Sequence, residues 1–265
     1  MVNLGTPDRT GRGPADWFEA VAASPRPAVV DYAAGEDRVE LSGRVLANWA
    51  AKTANLLDAE GLGTGSTVAV DLPVGWQPLA LLLGTARAGV DVVFTAGDSA
   101  TDADLVVTDA PSAWAGSPAE LWAVAPGDDG LPGHALDFTA EVRVQGDRCP
   151  LPVPSGDLAA QARDWADAPG LTGTDETDGT GRPARDADPS VRWLRRDRGL
   201  VVAASGRRLH RGLAGAVLQA WAAGLPVVLV PTGHAGDDAS AGIIAAERLG
   251  DVVDVVEGPE GQAPG

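Results

Sequence analysis

Short apolar runs alternate along the chain with segments of helical period, the pattern of β/α layering. The spacing predicts a helix over residues 14–23, a strand at PAVVDY (27–32), a turn at Gly35 and a short strand at RVEL (38–41). A long helix follows in SGRVLANWAAKTANLLDAEGLG (42–63). Ser42 can cap its first turn, Val45, Leu46, Trp49, Leu56 and Leu57 fall on one face, and Gly61 or Gly63 stops the winding. STVAVDLP (66–73) reads as a strand, and WQPLALLLGTARAG (76–89) as a helix with Pro78 in its first turn and Gly89 at its end. VDVVF (90–94) and DADLVVTDA (102–110) are further strands. SPAELWAV (117–124) places Ser117, Pro118 and Glu120 in the spacing of a helical capping box.

GDRCPLPVPSGD (146–157) breaks this alternation with three closely spaced prolines, Pro150, Pro152 and Pro154. The expected fold class is α/β in two layered β/α subdomains, one over 1–145 and the other over 146–265. The second subdomain holds a helix at DLAAQARDWADA (157–168) and a polar insertion near 170–192 with almost no apolar residues. A strand GLVVAAS, a helix GLAGAVLQAWAAG, a strand LPVVLVP, a helix ASAGIIAAERLG and a strand VVDVV then lead to a frayed tail, EGPEGQAPG.

Composition narrows the function classes. A 265-residue chain that is 45% hydrophobic can bury a full core, which argues against general disorder. A formal charge of −17 and the lack of a basic stripe make nucleic acid an unsuitable partner. The best apolar stretch, near 79–94, is broken by Arg87 and Asp91, so no membrane span is expected. The lone Cys149 excludes an internal disulfide framework, and with no basic-then-apolar leader the expectation is a cytoplasmic protein. Lys52 is the only lysine, so any chemistry that needs a second one is excluded.

The residues that suggest chemistry have simpler explanations. GLGTGS (61–66) resembles a dinucleotide glycine cluster, but it follows a helix and precedes a strand, the reverse of that fingerprint. His134, His210 and His234 lack metal-ligand spacing, and Ser205 lacks the paired glycines of a nucleophile elbow. Trp17, Trp49, Trp122 and Trp221 read as core anchors.

The order of segments from VELSGRVLANWAAKTANLLDAEGLGTGSTVAVDLP through LLLGTARAGVDVVF to ADLVVTD resembles the opening of the adenylate-forming superfamily, which includes acyl-CoA synthetases and amino-acid adenylation domains. Gly61, Gly65, Ser66 and Val68 match its G-x-x-x-G-D-x-V turn, with Ser66 in place of the aspartate, and Ala88 and Gly89 match its A-G before an apolar strand. GLVVAASGRRLHRGLAGAVLQAWAAGLPVVLVP is similar to a later segment of that family, with His210 near the family histidine and Gly224 at the turn. The resemblance spans most of residues 14–257. It implies a phosphate loop ending in lysine just before DLAAQARDW, where this chain has QGDRCPLPVPSG. DGTGRPA carries Gly181, Arg182 and Pro183 but has Ala184 in the lysine's place; as a displaced, degenerate loop it would use Arg182 or Arg185 as the cation. Tyr32, the only tyrosine, is too near the N-terminus to serve the adenine segment.

The resulting expectation is a non-catalytic AMP-binding-like protein, a pseudoenzyme with no assigned catalytic, cofactor-binding or metal residue and no cofactor, that binds a partner protein or a small-molecule ligand. The alternative is a residual acyl or aryl acid ligase completed by a separate polypeptide.

Overall fold

The computed structural model describes residues 21–32, 38–95, 102–124, 131–151, 200–203, 208–222, 225–230 and 243. The expected helix over 157–168, the insertion near 170–192, the DGTGRPA stretch and the last strand lie outside these residues. So do Trp17, Ser205, Gly224 and His234.

The described strands form two sheets. The first has the order β2-β1-β9-β8, built from β1 (Pro27–Asp31), β2 (Val39–Ser42), β8 (Leu200–Ala203) and β9 (Val227–Val230). β1 and β2 are antiparallel, whereas β1, β9 and β8 run parallel. The second has the order β4-β3-β5-β6-β7, all parallel, from β3 (Thr67–Asp71), β4 (Asp91–Phe94), β5 (Leu105–Thr108), β6 (Glu120–Ala123) and β7 (Ala135–Asp137). Because β1 pairs with β9, the expected boundary at 145/146 falls inside the span of the first sheet.

Four helices described in the chain pack on these sheets: α1 (Gly43–Ala59), α2 (Trp76–Ala88), α3 (Phe138–Val144) and α4 (Arg211–Ala222). α1 starts where Ser42 Oγ accepts the Val45 N–H at 3.3 Å. It ends in a Schellman closure, with Gly61 at φ 78° and the N–H groups of Gly61 and Leu62 donating to Asp58 O and Leu57 O. Gly89, at φ 74°, ends α2 in the same way. α2 has no cap from its own neighbouring side chains. Asp31, at the end of β1, instead accepts the Trp76 N–H at 2.8 Å, so a carboxylate from the first sheet satisfies the helix start of the second unit.

The buried face of α1 is formed by Leu46, Ala47, Ala50, Thr53, Ala54 and Leu57, with Leu56 also buried. Val45 does not belong to it: at 40% exposure it sits on the solvent side, because the seam against α2 runs along Ala50 and Thr53, which face Gly84. The apolar cluster runs from Val29, Val227 and Leu229 through Leu57 and Leu83 to Val70 and Val107, joining both sheets and both long helices. Trp122 and Trp221 anchor this cluster as expected, Trp122 stacking on Phe138 at 5.9 Å; Trp49 is only partly buried, edge-on to Trp76.

One helix expectation fails. Ser117 Oγ accepts the Ala119 N–H in a short turn, and Glu120 opens strand β6 rather than a helix. The capping-box spacing is present, but Leu121 and Trp122 are needed opposite Val106 and Val107 in the parallel ladder. Among the described residues, no helix is long and apolar enough to cross a membrane.

Candidate functional site

From β3 the chain passes through α2 to β4 on one side of the sheet, and β5 then lies on the other side of β3. The strand order reverses between β3 and β5. In parallel α/β sheets the crevice outside the carboxyl ends of such a pair is where ligands settle. Asp71 and Thr108 are the last residues of these two strands and stand directly opposite each other.

Asp71 is 1% exposed. Its Oδ2 accepts the Trp114 Nε1–H at 3.0 Å and lies 3.5 Å from Thr108 Oγ1. Its Oδ1 is buried with no hydrogen bond, but Arg208 Nε lies 3.4 Å away, an ion-pair contact without hydrogen-bond alignment. Arg208 Nη1 donates to the Asp71 carbonyl at 3.1 Å and to Asp109 Oδ1. Arg208 comes from the other half of the chain, on the approach to α4. It is held there by an antiparallel bridge to Pro73 and by the Leu209 N–H donating to Leu72 O at 2.7 Å. The crevice therefore holds one guanidinium between two carboxylates.

His210 follows directly. Its Nδ1 accepts the Leu213 N–H at 3.4 Å and its carbonyl accepts the Ala214 N–H at 3.0 Å, so the imidazole caps α4. A neutral ring bonded in this way carries its proton on Nε2. His134 is exposed in a turn, far in sequence from this cluster.

Lys52 and the 145–151 loop form a second polar group. Lys52 Nζ donates to the carbonyls of Arg143 and Gln145 and pairs with Asp147 at 3.0 Å. Asn55 Nδ2 donates to Gly146 O and Arg148 O, each at 2.9 Å, and Arg87 donates to Cys149 O and Leu151 O. α1 and α2 thus hold the proline-rich loop by its carbonyls, and the single lysine is part of that support.

The glycines of 61–66 have a structural role. Gly61 and Gly65 both have left-handed φ, 78° and 92°, and Ser66 Oγ accepts the Gly63 N–H at 3.2 Å, closing the turn as an aspartate carboxylate would. An open depression of about 340 Å³ lies at the amino ends of β5 and β6, with Asp102, Asp104 and Glu120 on its lining. Asp104 there accepts the Thr67 N–H at 2.8 Å. Among the described residues, no group of three or more His, Cys, Asp or Glu is arranged to hold a metal.

Sequence reasoning singled out His210 and Lys52, but not the Asp71–Arg208–Asp109 cluster. The available signal was the charged residue ending each apolar run, VAVD and LVVTD, where parallel strands present their carboxyl ends.

No protein-family model matches the chain. The TIGR03089 family protein of Mycobacterium tuberculosis is 38% identical over 177 residues, 60% of this chain and 72% of that protein. Among solved structures, the Brucella canis acyl-CoA synthetase matches with a TM-score of 0.64 at 22% identity, over 94% of this chain and 48% of that one. A Mycobacterium tuberculosis fatty acyl CoA synthetase matches with a TM-score of 0.56 at 17% identity, over 88% of this chain and 47% of that one. The N-terminal subdomain of Klebsiella oxytoca NpsA matches with a TM-score of 0.55 at 15% identity, over 90% and 59% respectively. This chain spans about half the length of the two synthetases. The fold is thus the α/β frame of the N-terminal portion of adenylate-forming enzymes, and the chain belongs to the TIGR03089 family.

Proposed function

We propose that this chain is a small-molecule-binding protein on the adenylate-forming frame that does not adenylate a carboxylate by itself. The observation that carries the reading is the engagement of Arg208. Among the described residues it is the cation at the carboxyl ends of β3 and β5, and Asp71 and Asp109 already claim it. Adenylation requires positive charge on the triphosphate as the α-phosphate is attacked, and a crevice with an excess carboxylate opposes that build-up of charge. Lys52 cannot substitute without releasing the carbonyls of Arg143 and Gln145.

Small-molecule binding has a parallel on this frame: the NpsA N-terminal subdomain has been solved in complex with 3-hydroxyanthranilyl-AMSN. The test is ATP–pyrophosphate exchange by the purified protein across a panel of aryl and alkyl carboxylic acids, paired with thermal-shift measurements. The expected result is no exchange, with stabilisation by one or more of the small acids and none by ATP. Robust exchange by the isolated chain overturns the proposal.

A further inference from the structure

We infer that Arg208 is a releasable bar across the mouth of the crevice at the carboxyl ends of β3 and β5. It closes the mouth while paired with Asp109 and opens it when that pair is screened or broken. What the open mouth admits rests on the small-molecule reading above, whereas the bar itself is tested without any ligand.

Three sets of contacts carry the inference. The first is the span. One nitrogen, Arg208 Nη1, donates to the Asp71 carbonyl at the end of β3 at 3.1 Å and also to Oδ1 of Asp109, the residue just beyond β5. Asp71 and Thr108 are partners in the ladder, so the guanidinium ties together the ends of the two strands between which the sheet order reverses. The second is the inequality of the two ends. The Asp71 side chain is 1% exposed, whereas that of Asp109 is 38% exposed and that of Arg208 32%. Breaking the inner pair strands a buried charge, while the outer pair is solvent-screened and weak. The outer end therefore gives way first. Nε, 3.4 Å from Asp71 Oδ1, is the pivot, and Nη1 is the end that swings.

The third is the anchoring of the backbone. The Leu209 N–H donates to Leu72 O at 2.7 Å, Arg208 and Pro73 form an antiparallel bridge, and the Leu209 side chain is buried in the core. Release of Asp109 therefore moves one side chain and leaves the start of α4 in place. The same Asp71 carboxylate accepts the indole N–H of Trp114, itself buried, on Oδ2. Exchange of that proton with solvent reports access to the carboxylate behind the bar.

Indole hydrogen exchange is measured by NMR on the ¹⁵N-labelled full chain at constant pH, in about 20 mM and about 500 mM NaCl, between which the screening length shrinks several-fold. In the wild type, high salt is expected to speed exchange of the Trp114 indole roughly two- to fivefold, the scale of an exposed ion pair. D109A should exchange at low salt as fast as the wild type does at high salt and lose the salt response. D109E, which keeps the carboxylate, should retain the response. The Trp221 indole, which donates to Ala28 O, is the internal control and should hold its rate throughout. A wild-type Trp114 rate indifferent to salt, a parallel rise of Trp114 and Trp221 in the wild type, or a D109A rate equal to that of the wild type at low salt overturns the bar. If D109A fails to fold, the wild-type salt series with D109E decides. Failure of the bar leaves the small-molecule reading standing, since that reading is tested separately by pyrophosphate exchange and thermal shift.

Discussion

Gly84→Ala tests the packing that carries the whole arrangement, because helix propensity and packing predict opposite signs. Gly84 lies inside α2, where replacing glycine by alanine in isolation stabilises a helix by about 1 kcal/mol. In this fold a Cβ at Gly84 would stand 2.3 Å from Thr53 Cβ and 2.4 Å from Thr53 Cγ2 on α1, with Ala50 O at 3.2 Å. Ordinary contact begins about 1 Å further out. Thr53 is fully buried and β-branched on a helix, so it has no long flexible end to swing away. The overpacking cost should therefore sit near the upper end of its usual range, about 3 kcal/mol, leaving a net loss of about 2 kcal/mol after the propensity gain. For a chain of this size that is roughly 4–8 °C in Tm. Urea denaturation followed by circular dichroism measures the loss. The double variant T53G/G84A moves the small residue to the other helix and should recover at least about 1 kcal/mol relative to the sum of the singles. A G84A protein as stable as wild type, or more so, refutes the close α1–α2 seam.

Three other outcomes follow from named contacts. Ser42→Ala removes the acceptor for the Val45 N–H and should cost about 1 kcal/mol in urea denaturation, while Ser42→Gly should cost only a few tenths. Trp114→Phe keeps most of the buried ring but withdraws the donor at 3.0 Å from Asp71 Oδ2, which already has an oxygen without a hydrogen bond; a loss of about 1–3 kcal/mol is expected by thermal or urea unfolding. Lys52→Met keeps an apolar stem but frees two carbonyls and Asp147. Backbone amides of residues 145–151 should then exchange hydrogen at least about tenfold faster, with the β3 and β5 amides unchanged.

Much of residues 27–94 was legible because the signals there are local. The Ser42 cap, the glycine stops at Gly61 and Gly89, and the strand–helix–strand run through β3, α2 and β4 need only neighbours a few positions apart. The SPAELWAV stretch shows the limit of such signals. Its capping spacing competes with a ladder partner that a linear pattern does not reveal, and the ladder wins because it buries Leu121 and Trp122. Val45 was misplaced for a similar reason: periodicity gives a wide apolar arc, and the neighbour helix decides which edge of that arc is covered.

The candidate site was hardly legible. Asp31 capping α2, Lys52 holding the 145–151 loop and Arg208 reaching Asp71 join residues 45, 91 to 93 and 137 positions apart. In the sequence each reads as one more charge in an acidic chain.

By itself the sequence determined the α/β class, the order of elements from β1 to β5 and from β8 to β9, and the ends of α1 and α2. Each depends on short-range periodicity and backbone geometry. The tertiary structure alone decided that β1 pairs with β9, that the sheet reverses between β3 and β5, and that one arginine meets two aspartates there. Coulomb and hydrogen-bond energies depend on distance in space, and the folded backbone sets those distances.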